Sequence, residues 1–230
     1  MPEKTVFENI HDLPQLRDHL RVFRDRPDAG STLAVMLEDF RGSNALVLAI
    51  PAGGVPVAAT LSEELELPMD VCVVSKILLP WTTEAGFGAV AFDGSVWLNR
   101  EYVDYYSLTP QQITTATEEA RQKVERRVRR FRGDRPWPTL KGRPVIVVDD
   151  GLASGATLQA GLAALRRTGA DHLIIAVPTS HLHSAEKLAV QVDALYCANL
   201  RSGPRFAVAE AYQHWSDVSE DEAIALTRKG

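Results

Sequence analysis

The run Val145-Ile146-Val147-Val148-Asp149-Asp150-Gly151-Leu152-Ala153-Ser154-Gly155-Ala156-Thr157 decides how this chain is read. Its first four residues are apolar and β-branched, the pattern of a strand buried on both faces. Two adjacent carboxylates follow at the strand's carboxyl end, then a loop of small residues, then the start of a helix predicted over 157–167 with Leu158, Leu162 and Leu165 on one side. In open α/β sheets, ligands lie beyond the carboxyl ends of the strands. The free N–H groups at a helix start, aided by the helix dipole, favour an anion such as phosphate. Small residues let the backbone come close to that anion, and Ser154 and Thr157 add hydroxyl donors. Asp149 and Asp150 would repel phosphate; they suit a diol, such as a pair of ribose hydroxyls, or a metal ion. An acid pair beside an anion loop therefore reads as ribose on one side and phosphate on the other. A nucleotide P-loop fits poorly, because the Gly151-to-Thr157 run is one residue short of GxxxxGK[ST] and has no lysine. The plainer alternative is a helix capped by Ser154 or Thr157 beside two exposed aspartates. A cap, however, does not need a diacid at the end of a buried strand.

Outward from this run, strands and helices alternate. Residues 45–50 form a short apolar strand, stopped by Pro51-Ala52-Gly53-Gly54; a helix is predicted over 55–67, ended by Pro68. Further strands are predicted at 71–74, Pro144–Val148, 173–177 (stopped by Pro178) and 194–197, with a helix over 183–190. Buried strands alternating with helices predict an α/β fold with a mostly parallel sheet. Two stretches break the rhythm. Residues 77–99 contain Pro80, Gly86, Gly88 and Gly94 and read as an irregular insertion, a mobile flap in which 88–90 and 96–98 can pair as a hairpin. Residues 109–132 read as a long polar helix whose end, 121–132, carries seven basic residues and one Glu. That end is expected to be a solvated face with cations near the helix C-terminus, phosphate or nucleic-acid contact being the alternative.

Composition narrows the class. The 230 residues are 45% hydrophobic and 24% charged, ordinary for a soluble globular domain and enough for a core without staples. A net charge of −5 argues against a general nucleic-acid coat. Cys72 and Cys197 sit in apolar runs and read as buried, reduced thiols, with no CxxC to suggest zinc or redox chemistry. His181 and His183 have no further ligands near them in sequence, so a metal site there is not expected. No apolar stretch approaches the length of a signal-peptide core near the start, or of a membrane span anywhere; the expected location is the cytoplasm.

The Asp149–Thr157 run resembles the phosphoribosyl pyrophosphate motif of type I phosphoribosyltransferases. The resemblance extends over nearly the whole chain and points to a little-characterised branch of predicted phosphoribosyltransferases: Phe23-Arg24-Asp25-Arg26, Ala29-Gly30, Phe206-Ala207-Val208, Tyr212 and Val218-Ser219 resemble that branch too. It implies one domain with a three-layer α/β fold: a core of about 31–200, a flexible catalytic loop of about 77–99, and a small hood from about 1–30 and 201–230. It also implies that Asp149 and Asp150 hold the ribose hydroxyls and sit near Mg²⁺. Ala153, Ser154, Gly155, Ala156 and Thr157 would cradle the 5-phosphate. Ala52, Gly53, Gly54 and Lys76 would receive the pyrophosphate, in a loop that in this family often holds a non-proline cis peptide. Lys76 and Glu84 are the candidate catalytic side chains. The implied activity is Mg²⁺-dependent transfer of the phosphoribosyl group from phosphoribosyl pyrophosphate to a nitrogenous base in a homodimer, without nucleic acid or membrane. A non-catalytic sensor of phosphoribosyl pyrophosphate or nucleotide, and a ribosyl hydrolase, are the alternatives.

Three departures from the family pattern matter. Relatives usually read Pro-Arg-Gly-Gly where this chain has Pro51-Ala52-Gly53-Gly54, and many have Arg where it has Ser75. Two cations that could stabilise departing pyrophosphate are thus missing, leaving the basic run 121–132 or a second subunit as replacements. Ala153 stands where the 6-oxopurine branch has Asp, and resembles the adenine-type loop instead. Phe206, Tyr212 and Trp215 either pack a C-terminal subdomain or cover a base.

Overall fold

The computed structural model describes residues 8–82 and 85–228. In chain order its regular elements are β1 (Ile10–Asp12), α1 (Arg26–Met36), β2 (Leu46–Ala49), α2 (Gly54–Leu65), β3 (Met69–Val71), β4 (Val74–Leu78), β5 (Gly86–Ala91), β6 (Val96–Leu98) and α3 (Arg100–Tyr105). They continue with α4 (Pro110–Arg132), β7 (Pro144–Val148), α5 (Ala156–Arg167), β8 (His172–His181), α6 (Leu182–Ala189), β9 (Ala194–Arg201) and α7 (Glu220–Thr227). A six-stranded sheet has the order β1-β9-β8-β7-β2-β3, and every pairing in it is parallel. Helices cover both faces, as parallel strands require.

Alternation along the strands divides the core. Leu48, Val147 and Ile175 point to the face where Leu158, Leu162, Leu165 and Leu188 of α5 and α6 pack. Val47, Ile146 and Ile174 point to the other, against Leu33 of α1 and Leu61 of α2. Truncating any of these buried leucines to Ala costs about 2–5 kcal/mol, so the strand ends that carry the acid pair are held by a well-packed frame.

Several expectations need correction. The strand predicted at 71–74 is two strands: β3 ends the main sheet, whereas β4 starts a second, antiparallel sheet ordered β4-β5-β6. Lys76 therefore lies within a strand rather than after one. Residues 77–99 are not mainly irregular: Phe87, Ala89, Val90 and Ala91 are buried, while the expected pairing of 88–90 with 96–98 is present. Gly88 is a close-packing site within a strand rather than a loop glycine: a Cβ there would stand 2.4 Å from the Trp97 carbonyl oxygen. β8 and β9 run past Pro178 and Cys197 because the buried polar residues there pair: Thr179 Oγ1 donates to Asn199 Oδ1 at 2.7 Å. The basic end of α4 is not merely a solvated face. Arg127 and Arg132 are buried, and Arg132 forms an ion pair with Asp70.

Segments from the two halves of the expected hood come into contact. Phe23 bridges Tyr212, and both pack with Ala29, Ala198 and Ala211. The N-terminal part also adds an edge strand, β1, beside β9, and α7 lies against α2 and α4. Residues 1–7 of the expected hood fall outside the described residues. Among the described residues no helix is long and apolar enough to cross a membrane.

Candidate functional site

The adjacent parallel strands β2 and β7 end together, with Ala49 paired to Val148. The chain turns at Pro51-Ala52, whose peptide bond is cis, into α2. This turn approaches the acid pair so closely that only glycine fits. A Cβ on Gly53 would lie 2.1 Å from Asp150 Oδ2, and one on Gly54 would lie 2.7 Å from the Val148 carbonyl oxygen. The sequence Gly53-Gly54 thus reflects contact with the next strand's end as well as any need to approach an anion.

The two carboxylates differ in surroundings. Asp149 accepts from the Asp150 amide at 2.9 Å. Burial, and then the neighbouring Asp150, hold its carboxyl well above the usual carboxylate range, with Lys76 pulling the other way. Asp150 is also raised by burial, but Arg26 opposes that shift. Arg26 Nε and Nη2 lie 3.0 and 2.9 Å from Asp150 Oδ2, Nη1 donates to the Ser216 carbonyl at 2.8 Å, and the guanidinium lies 3.9 Å from the Trp215 ring centroid. The Tyr212 hydroxyl donates to the Asp150 carbonyl at 2.6 Å. Sequence reading assigned no role to Arg26, which is 124 residues from its partner. Of the three aromatics weighed, Tyr212 and Trp215 anchor Arg26 and Asp150, while Phe206 lies near Arg201 and His181.

Beyond Asp150 the loop is pinned by Leu152, whose amide donates to Thr179 and whose carbonyl accepts from His181. Gly155 has φ +77°, a left-handed conformation that favours glycine, and a Cβ there would also press on Leu152 and Leu188. Neither Ser154 nor Thr157 caps α5; the helix start has no side-chain cap. The simple capping alternative is therefore set aside.

Two neighbouring cavities lie at this place. One, of about 200 Å³, is bounded by Asp149, Asp150, Ser154, Gly155 and Val208. The other, of about 390 Å³, is bounded by Pro51, Lys123 and Arg127 among others. Lys76, Asp149 and Thr157 line both. The structure thus brings together Lys76, the acid pair, the 153–157 loop and the Pro51 turn. Glu84 lies outside the described residues. Lys123 and Arg127 were not singled out in the sequence; their signal was the basic run, but only the packing of α4 on the β4 sheet selects which members face the cavity. His181 is occupied with the Gly203 carbonyl at 3.1 Å, and no group of three or more His, Cys, Asp or Glu suited to a metal occurs among the described residues.

The chain is similar in sequence and fold to several known proteins. Residues 103–210 match the phosphoribosyl transferase domain. Two curated proteins of Mycobacterium tuberculosis, from strains H37Rv and CDC 1551 and each named "Putative phosphoribosyl transferase", are 35% identical over 207 residues. The match takes in 90% of this chain, which spans 46% of the length of those relatives. The crystal structure of TT1426 from Thermus thermophilus superposes with a TM-score of 0.74 at 29% identity, covering 91% of this chain and 99% of that one.

Proposed function

We propose that this chain, whose residues 103–210 match the phosphoribosyl transferase domain, is a type I phosphoribosyltransferase that binds phosphoribosyl pyrophosphate and transfers its phosphoribosyl group to a nitrogenous base. The observation that carries this reading is the pair of neighbouring cavities that share Lys76, Asp149 and Thr157 in their walls. An uncapped helix start lies on one side, a diacid in the middle and cations on the other. That order matches a ligand with phosphate at one end, a diol in the middle and pyrophosphate at the other.

In this reading Ala153, Ser154, Gly155, Ala156 and Thr157 hold the 5-phosphate through backbone amides and two hydroxyls. Asp149 and Asp150 accept from the ribose hydroxyls. The turn at Ala52, Gly53 and Gly54, with Lys76, receives the pyrophosphate. Attack of the base nitrogen on C1 forms the C–N bond as the C1–oxygen bond breaks, and the electron pair leaves on pyrophosphate. The protein's contribution is alignment of base and C1 and fixed positive charge where the leaving group gains negative charge. Glu84 remains the candidate acid/base, a role for which only its place in the sequence speaks.

Magnesium fits the donor set in one way only. Asp150 is engaged by Arg26, so Asp149 is the carboxylate left for a cation, and its raised proton affinity would fall on gaining one. Such a site suits Mg²⁺ bound mostly by ligand oxygens and water, and the ion's chemistry there is to neutralise pyrophosphate charge. The homodimer implied by the resemblance is part of the proposal and is read by light scattering.

A second reading, a sensor that binds without turnover, is favoured by Ala52 and Ser75 in place of cations. Calorimetric titration of phosphoribosyl pyrophosphate with Mg²⁺ separates the cases. Saturable binding, weakened about tenfold or about 1.4 kcal/mol by Asp150→Asn, is expected. Absence of binding to the wild type overturns the proposal. Binding without pyrophosphate release across a screen of bases favours the sensor; release without any base favours a hydrolase.

A further inference from the structure

The larger cavity carries positive charge that the acid pair and the phosphate loop do not use. We propose that α4 supplies the pyrophosphate-binding cations in this chain: Lys123 and Arg127, together with Lys76. The inference rests on the function proposed above and assigns it a different set of charged groups.

Lys123 and Arg127 are four residues apart, on one face of the 23-residue helix α4. Both line the cavity that contains Pro51, Lys76 and Thr157. The loop and strand that flank this cavity contribute no cation from Ala52 or Ser75, and Ser75 is buried. Lys76 alone would face a ligand group that carries several negative charges. Lys123, with the Arg127 donor beside it, makes up that deficit from a rigid helix without any change in the Pro51 turn.

The helix is well fixed for this purpose. Thr109 and Gln112 form a reciprocal cap at its start, with Pro110 at the first helical position. Ala120, Val124 and Phe131 are buried beside Ile77, Phe87 and Val90 of the small sheet. The strand that carries Lys76 and the helix that carries Lys123 therefore move as one packed unit.

Arg127 is the more informative of the two. It is only 7% exposed, and burying a guanidinium is costly unless its charge is met. Its Nε lies 2.9 Å from Glu220 Oε1, but the same carboxylate also binds Arg130. Arg130 is also met by Asp221 at 2.6 Å, so two carboxylates balance the two guanidiniums, and Arg127 offers the cavity a hydrogen-bond donor rather than surplus charge. Its Nη1 lies at the 3.5 Å limit from the Val74 carbonyl, a weak contact that an anion would readily replace.

The test is calorimetric titration of sodium pyrophosphate into the wild type, Lys123→Ala, Arg127→Lys and Arg129→Ala, with thermal melting of each. Arg129 is the control: it removes the same charge from the same helix but lines a separate cavity beside Gly133 and Thr227. Lys123→Ala and Arg127→Lys should each weaken pyrophosphate binding about tenfold, and Arg129→Ala by no more than about twofold. Lys123 is exposed, so its variant should fold even if Arg127→Lys does not, and it then decides alone. Wild-type-like pyrophosphate affinity in folded Lys123→Ala overturns the inference. So does a wild type that binds phosphoribosyl pyrophosphate but not pyrophosphate, an outcome that leaves the proposed function standing. If neither ligand binds, both fall.

Discussion

Replacing Arg26 with Gln should destabilise the protein by an amount that depends on pH. Arg26 is 8% exposed; it places two nitrogens on Asp150 Oδ2 at 3.0 and 2.9 Å and lies 3.9 Å from the Trp215 centroid. Breaking a buried ion pair costs about 3–5 kcal/mol, and losing a partly exposed cation–π contact about 0.5–1 kcal/mol. Gln can still donate one hydrogen bond, and the Asp150 side chain is 17% exposed, so a net loss of about 2–4 kcal/mol is expected. For a chain of this size each kcal/mol lowers Tm by about 2–4 °C. The sign with pH follows from Asp150. Burial raises its pKa and Arg26 opposes that rise, so the pair is worth its full amount while Asp150 is ionised and fades as pH falls through its pKa. Urea denaturation of wild type, Arg26→Gln, Asp150→Asn and the double variant, at neutral and at acidic pH, measures this. A coupling energy of about 1.5–3 kcal/mol at neutral pH, shrinking in acid, is expected. An equal loss at both pH values, with additive single variants, would refute the reasoning and leave the stack on Trp215 as the source of the effect.

Three further outcomes test the site's geometry and charge. Gly53→Ala places a Cβ 2.1 Å from Asp150 Oδ2; it should cost about 1–3 kcal/mol by forcing the carboxylate off Arg26 and weaken phosphoribosyl pyrophosphate binding, and wild-type melting and affinity would contradict the close approach. Asp149→Asn should raise Tm at neutral pH while weakening ligand binding, because the folded state holds the Asp149 pKa above its unfolded value and ionising it there costs stability as pH rises through that window. For the same reason, wild-type binding of the magnesium complex should tighten as pH rises through the raised Asp149 pKa; affinity that is flat with pH, or a destabilised Asp149→Asn, argues against a buried, ligand-seeking carboxylate.

Much of this was legible before the structure. The apolar β-branched run Pro144–Val148 can only be a strand buried on both faces, and its neighbours at 45–50 and 173–177 share that composition, so a parallel sheet under helices followed from local chemistry. The acid pair, the small-residue loop and the helix start are contiguous, so the physics linking them acts over a few residues and is visible in order. The split of 71–78 into two sheets was not legible, because an apolar run does not say which neighbour each strand will pair with. Nor were the continuations of β8 and β9, whose buried Thr179 and Asn199 look like loop residues until their mutual hydrogen bond is seen.

The sequence by itself determined where a small-residue loop and a diacid lie, since both are set by neighbouring residues and by the direction of a strand running into a helix. Only the tertiary structure decided what surrounds them. Arg26 reaches Asp150 from 124 residues away, and Lys123 and Arg127, two of seven basic residues in one run, are chosen by the rotation of α4 on the β4 sheet. Such choices arise from packing between distant segments, where the free energy depends on the arrangement of whole elements and leaves no period or spacing in the chain.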